Sequence, residues 1–178
     1  MAESDQSLVA AALAGRLDAF DELMRRHERA VFRAAWGFGK NRENALDITQ
    51  QVFLKAYRGL PSFRQDADLK TWLLKIAYHE GVNWVRRNGR ADRHEPIDGD
   101  VPLPGNQEQR LLASEREQQL ESALGKLNQR HRAAIELRYR QGLPISEVAA
   151  VLQCSEGVAK NMLFRSVRTL RQALAPLV

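Results

Sequence analysis

The sequence predicts an all-α protein, built as two small helical domains joined by a flexible linker. Ala and Leu supply 23 residues each, whereas the β-branched Val, Ile and Thr supply 11, 5 and 3, and this excess of helix formers disfavours a sheet-based fold. Apolar residues recur at helical spacing in two stretches, and an acidic segment rich in Pro and Gly lies between them. A chain of 178 residues is long enough for two small domains.

Cysteine content and hydropathy exclude two other classes of protein. Cys154 is the sole cysteine, so an internal disulfide is impossible and a small oxidised secreted scaffold is excluded. The longest apolar run, Leu8 to Ala14, has seven residues, which is too short to insert across a bilayer. The first six residues are acidic rather than basic and do not resemble a signal peptide. We therefore expect a cytoplasmic protein without direct membrane insertion.

Four helices are expected in the first 88 residues. Asp18 can cap the start of the second. The third must end before Pro61, because proline disfavours helical dihedral angles in the residue before it. Gly81 is expected to loosen the fourth helix. The expected helices span Ser7–Leu13, Leu17–Phe38, Asn44–Arg58 and Leu69–Arg87.

The middle of the chain differs in charge from both ends. Residues 1–95 carry a net charge of +3, residues 96–120 of −3 and residues 121–178 of +5. The stretch 93–106 holds three prolines and two glycines among acidic residues, so burial cannot offset the entropy of ordering it. A long surface loop within one domain is the alternative to a linker. The expected division is a domain over 1–88, a flexible acidic linker over 89–112 and a domain over 113–178.

The C-terminal part predicts a helix-turn-helix. A short helix and a long final helix are separated by a break of three residues, and in such a motif the second helix enters the major groove of DNA. Gly142 and Pro144 mark the turn that precedes the pair. The expected helices are 109–124, Gln129–Arg140, Ser146–Leu152 and 156–173.

The final helix has one cationic face and one apolar face. Arg165, Arg168 and Arg171 lie within about 140° of Lys160 around the helix, whereas the leucines lie on the other side. Ser155 is a good N-cap, and the helix N-terminus can donate N–H groups to a phosphate. This pattern favours DNA binding, and the alternative is an ordinary surface helix whose basic face is solvated.

The sequence resembles a known family over most of its length. The run 47–64, which begins Asp-Ile-Thr-Gln-Gln-Val-Phe, together with motifs in 71–77, resembles region 2 of extracytoplasmic-function (ECF) sigma factors, the smallest initiation factors of the bacterial sigma-70 family. Motifs from 124 to 165 are similar to region 4 of the same family. The resemblance covers about residues 15–88 and 118–174, in the order in which the family has its regions.

The resemblance implies an RNA polymerase sigma factor that directs promoter-specific transcription initiation. It implies core RNA polymerase and promoter DNA as partners, a cognate anti-sigma factor as a further partner, and no catalytic residue, metal or cofactor. The alternative is a two-domain helix-turn-helix regulator that is not a polymerase subunit. An enzyme is disfavoured because the four histidines lack metal-ligand spacing and no nucleophile or phosphate-loop motif occurs.

Site residues follow from the resemblance, position by position. Asp47 and Gln50 are three residues apart and share a helix face, whereas helical spacing favours the core for Phe53; the resemblance assigns all three to polymerase binding. The residues assigned to the −10 element are Phe63, Arg64, Trp72, Lys75, His79, Asn83, Arg86 and Arg87. Those assigned to the −35 element are Ser155, Lys160, Asn161, Arg165 and Arg168.

The −10 set suits strand separation, which needs aromatic walls, polar edges that read bases, and cations for phosphates. Trp72 fits either the core or a stacking surface. The chain also departs from the family at four positions, since His79 replaces the usual Asn, Val158 a usual Thr, Met162 a usual Arg and Gln153 a Gly that is common in the turn. These departures imply that the DNA contacts at 158 and 162 are missing and that the −35 preference is unusual.

Overall fold

A computed structural model describes residues 3–64, 68–88 and 118–175 of the chain, and these residues form helices and no strand. The predicted all-α class is confirmed. The predicted linker, 89–112, and part of the loop after the third helix, 65–67, lie outside the described residues. The helices are α1 (Asp5–Leu13), α2 (Leu17–Gly39), α3 (Arg42–Gly59), α4 (Leu69–Asn88), α5 (118–125), α6 (Gln129–Ile135), α7 (Ile145–Leu152) and α8 (Glu156–Leu174).

Local signals fix most helix ends, with one correction. The side chain of Asn41 caps α3 by accepting a hydrogen bond from the Asn44 N–H at 2.8 Å. The prediction that Asp18 caps α2 is wrong, because the N-cap is Arg16 and makes no side-chain cap hydrogen bond. Asp18 instead accepts a hydrogen bond from Arg16 at 2.6 Å, and this bond lowers the pKa of the Asp18 carboxyl.

Helices α1 to α4 form the first module, and α2, α3 and α4 pack against one another around its core. Gly81 lets α4 approach α2 closely, because a Cβ at this position would lie 2.2 Å from the Phe38 ring. Helix α4 continues without a break through Gly81 to Asn88. The buried carboxylate of Glu80 accepts a hydrogen bond from Lys55 at 2.5 Å, which ties α4 to α3.

Helices α5 to α8 form the second module, with a core of small and branched apolar side chains from α6, α7 and α8. Arg132 of α6 is buried and donates to Glu121 of α5 at 2.6 Å. The helix expected over 129–140 is α-helical only to Ile135, and Glu136–Arg140 form one π-helical turn. Five-residue spacing is visible in the 2.9 Å hydrogen bond from the Gln141 N–H to the Glu136 carbonyl.

The two modules pack against each other through one side of α4 and through α2, which contacts α6. Leu74 of α4 is only 1 % exposed and belongs to the apolar core of the second module. Lys70 donates to the Gln141 carbonyl at 2.8 Å, and the Thr71 hydroxyl donates to the Glu147 carboxylate. A small open cleft lies between α2, α4 and α6 beside these contacts. None of the described helices is long and apolar enough to cross a membrane.

Candidate nucleic-acid interface

The end of α7 and the start of α8 form a tight turn. The chain leaves α7 at Leu152, and Gln153 adopts left-handed dihedral angles, φ 52° and ψ 54°. The Cys154 N–H donates to the Ala149 carbonyl at 3.0 Å, which closes the end of α7. Ser155 then caps α8, because its hydroxyl accepts a hydrogen bond from the Val158 N–H at 3.3 Å. This order of helix, turn and capped helix is the predicted helix-turn-helix.

The outer face of α8 carries all the side chains that the sequence predicted for the −35 element. Ala159, Leu163 and Ser166 face the core of the second module and are buried. This buried strip leaves the opposite side of the helix open to solvent. The exposed residues of the predicted set are Ser155, Lys160, Asn161, Arg165 and Arg168.

Charge on α8 is strongly one-sided. The helix holds four basic residues and the single acid Glu156, which lies 4.0 Å from the Lys160 ammonium. A helix N-terminus adds partial positive charge to the same end. The exposed face is therefore suited to a polyanion such as the DNA backbone. In the described part of the chain, no group of three or more His, Cys, Asp or Glu residues is placed to hold a metal ion.

The two departures on α8 lie on different sides of the helix. Met162 is 7 % exposed and packs in the core, so its side chain offers no contact to DNA on the outer face, in line with the expected absence of a contact at this position. Val158 and Phe164 are 48 % and 70 % exposed on the outer side. Neither side chain was predicted to contact DNA, although Val158 precedes Asn161 by three residues, a spacing that places both on one side of a helix.

Helix α4 brings most of the predicted −10 residues to one face. Trp72, Lys75, His79, Asn83 and Arg86 follow one another at intervals of three or four residues, so they form one strip along the helix. Lys75 and Arg86 are exposed, and the other three are half-buried. This strip lies beside the side of α4 that packs on the second module, and the ring of His79 lies 5.9 Å from that of Tyr78.

The two aromatic residues at the start of this surface lie at different depths. Phe63 is 8 % exposed and belongs to the core of the first module. Its ring centroid lies 5.0 Å from that of Trp72, which is half-buried. Phe63 therefore supports Trp72 from below, while Arg64 and Arg87 are exposed at the two ends of the surface.

The outer face of α3 is the third surface. Asp47 and Gln50 are exposed on it, whereas Phe53 is 9 % exposed and packs in the core beneath. Leu54 and Tyr57 are 40 % and 48 % exposed. Neither of these two side chains was predicted as part of this surface, although their spacing of seven and ten residues from Asp47 places them on the same side of the helix.

Comparisons with known proteins agree with the order of the modules. Residues 23–91 match the family described as Sigma-70 region 2, and residues 117–170 match Sigma-70, region 4. The chain is 31% identical over 186 residues to the RNA polymerase sigma-H factor of Pseudomonas aeruginosa, covering 99% of this chain and 96% of that protein. It is 29% identical over 188 residues to the ECF RNA polymerase sigma-E factor of Haemophilus influenzae, covering 98% and 97%.

A solved structure is also similar over nearly the whole chain. CnrH, in complex with the cytosolic domain of CnrY, has a TM-score of 0.73 and 27% sequence identity, and the match covers 98% of this chain and 99% of that one. The similarity therefore extends across both modules.

Proposed function

Because this chain belongs to the ECF group of the sigma-70 family of RNA polymerase sigma factors, we propose that its two modules read two separate promoter elements. A protein of this family directs promoter-specific initiation by RNA polymerase. In our assignment, residues 1–88 dock on core polymerase and open the −10 element, residues 113–178 bind the −35 element, and 89–112 connect them. The chain itself carries out no chemical step in this proposal, and it works where the polymerase works, in the cytoplasm.

The −35 assignment rests on α8. Its outer face presents Lys160, Asn161, Arg165 and Arg168 to solvent, while its inner face packs in the module core. This is the single observation that carries the proposal, because a recognition helix must be held from one side and free on the other. Amide and guanidinium groups can read base edges, and the lysine can contact a phosphate.

The −10 assignment rests on the strip along α4. The half-buried ring of Trp72 offers a stacking surface, and Phe63 beneath it fixes that ring in place. His79 and Asn83 supply polar edges for base readout. Arg64, Arg86 and Arg87 supply cations for the backbone of the separated strand.

Polymerase docking is assigned to the outer face of α3. Asp47 and Gln50 supply polar contacts, and the exposed Leu54 and Tyr57 add apolar area beside them. Phe53 contributes indirectly, because it is buried in the core of the first module and helps to hold α3 in place. A face with both polar and apolar groups is typical of a protein interface.

An anti-sigma factor is the regulatory partner that we propose. The relative CnrH was solved in complex with the cytosolic domain of another protein, CnrY. The likeness to this chain covers both modules, which supports a protein partner of the same kind.

Reconstitution with core polymerase tests the function as a whole. The full chain is mixed with core polymerase on a supercoiled promoter library, and run-off transcripts are sequenced. We expect promoter-specific transcripts only when the chain is added. Failure of the chain to co-elute with core polymerase would overturn the proposal, and duplex binding without polymerase-dependent transcripts would favour a separate regulator.

Paired variants test the division of labour. Asp47→Ala is expected to weaken co-elution with core polymerase about tenfold, in line with the loss of one hydrogen-bonded charge at an interface. Asp21→Ala removes an exposed acid from α2 and serves as its control.

Charge reversal on α8 should weaken DNA binding and leave polymerase binding unchanged. In Arg165→Glu, the holoenzyme is expected to form normally but to lose protection of the −35 element, since a phosphate-facing or base-facing cation becomes an anion. Arg29→Glu reverses an exposed charge on α2 and is the control. Equal losses in polymerase binding and DNA protection for both Asp47→Ala and Arg165→Glu would contradict the assignment.

A further inference from the structure

One exposed side chain in the first turn of α8 has no polar group. Val158 is 48 % exposed, and it lies two residues after the start of the helix at Glu156. A single exposed apolar residue on a surface is ordinary. The position of Val158 makes it a candidate for DNA contact, because residues near the N-terminus of a recognition helix contact base edges.

The backbone of Val158 is already occupied. Its N–H donates to the Ser155 hydroxyl at 3.3 Å, so this donor is not free to bind a phosphate while the cap is in place. Gly157 beside it adds no side chain, and a Cβ there would meet nothing nearer than the Ser155 hydroxyl oxygen at 4.0 Å. No side chain therefore stands between Val158 and a DNA groove on this face, and its two methyl groups are the part that can contact a base.

The major groove offers one apolar group to such a side chain. Guanine, cytosine and adenine present hydrogen-bond donors and acceptors there, and thymine adds a C5-methyl group. A valine packed against hydrogen-bond donors or acceptors would displace the water bound to them without making a hydrogen bond in its place. We propose that Val158 is a specificity-determining residue, which selects a T·A pair in the −35 element by contact with the thymine methyl group. This inference rests on the proposed role of α8 in −35 recognition.

Helix geometry also predicts where the thymine lies. Val158 and Arg165 are seven residues apart, which places them on the same side of α8 and about 10 Å apart along its axis. At 3.4 Å per base pair, that distance spans at most about three base pairs, the limit being reached when α8 runs parallel to the DNA axis. Phe164 is also exposed, but it lies six residues after Val158 and is turned about 120° away from it. The selected thymine therefore lies within about three base pairs of the one contacted by Arg165.

Replacing thymine by uracil tests the proposal, because uracil lacks only the methyl group and keeps the same hydrogen-bonding edge. Holoenzyme containing the full chain is bound to its best library promoter, with each −35 thymine replaced in turn. At one position we expect about fourfold weaker binding, the effect of one methyl group no longer buried. In Val158→Ala the ratio between thymine and uracil should fall close to one at that position, with an unchanged melting temperature because the side chain is exposed.

Two further variants complete the experiment. Phe164→Ala should leave the thymine-to-uracil ratio unchanged at the position that depends on Val158. Arg165→Glu should abolish −35 binding on every template. If it does not, the proposed role of α8 fails and the role of Val158 falls with it, whereas loss of −35 binding in Arg165→Glu without methyl dependence at any position overturns the role of Val158 alone. The inference is overturned if no −35 position shows methyl dependence, if the selected element contains no thymine, or if Val158→Ala retains the full ratio.

Discussion

Position 81 of α4 has no room for a side chain, and this contact sets the distance between α2 and α4. The ring of Phe38 occupies the space where a Cβ would lie, with its Cδ2 only 2.2 Å away. The ring is itself fixed, because it is 4 % exposed and packs edge-on against Tyr78 at 5.9 Å. The helix that we propose to read DNA on one side is thus positioned by a glycine on another.

We expect Gly81→Ala to lower the free energy of unfolding by about 1–3 kcal/mol, because the ring or the helix must shift to admit the methyl group. Urea denaturation followed by circular dichroism measures the change. The cost should be smaller in a Phe38→Leu background, where the smaller side chain can yield. An equal cost in both backgrounds would show that the close contact is not its cause.

Single residues also show what periodicity can and cannot settle. Spacing alone placed Asp47 and Gln50 on one exposed face and favoured the core for Phe53, and both placements agree with the structure. Met162 was expected to mark a missing DNA contact, but the spacing did not show that its side chain is buried. A pattern match shows which residue type is usual at a position, but the direction of the side chain depends on how the helix is packed.

At the scale of elements, helix ends were predicted within about two residues wherever a local signal exists. Proline after α3 and serine before α8 act on their immediate neighbours, so the sequence alone reveals them. The π-helical turn at Glu136–Arg140 has no such signal. Contacts from other elements hold this turn, such as the 3.1 Å bond from Arg140 to Glu121 of α5. Tertiary contacts of this kind cannot be predicted from the residues of the turn itself.

The charge of α8 leads to a prediction about salt. Glu156 is the single acid on the helix and partly neutralises Lys160 at 4.0 Å. Glu156→Gln should increase the affinity of the holoenzyme for −35 duplexes about twofold to fivefold at low salt, since one repulsion from phosphates is removed. Binding measured between about 50 and 200 mM salt should show the gain shrinking as salt rises.

Glu28→Gln is the matched control, because it removes an exposed acid from α2 instead and should leave duplex affinity unchanged. Unchanged or weaker binding by Glu156→Gln would mean that this end of α8 lies away from the phosphates.

At the scale of the whole molecule, the packing between the modules was not predicted. Leu74 fits the apolar spacing of α4 and would be assigned to the core of its own module, yet it is buried in the other one. Thr71 and Glu147 are ordinary polar residues in sequence, and only the fold brings them together. The predicted linker lies outside the described residues, so the two-domain division remains a prediction.

Leu74→Glu should separate the modules, because a carboxylate buried without a partner costs more than about 2 kcal/mol. We expect a larger radius of gyration in small-angle X-ray scattering, with the helical circular dichroism signal retained. Leu17→Glu, at a position that is 63 % exposed, should leave the radius unchanged. An unchanged radius in Leu74→Glu would show that the hydrogen bonds of Lys70 and Thr71 hold the modules together without this side chain.

The contact between α4 and α7 has a consequence for promoter search. On the proposed assignment, the two elements have centres about 25 base pairs apart, or about 85 Å along straight DNA, whereas a compact body of the size of the described residues is only about 40 Å across. We therefore expect that the packed form cannot occupy both elements at once, so that each 1.4 kcal/mol by which packing is favoured would lower the bivalent affinity of the free chain about tenfold. Free copies would then compete less with holoenzyme for promoters.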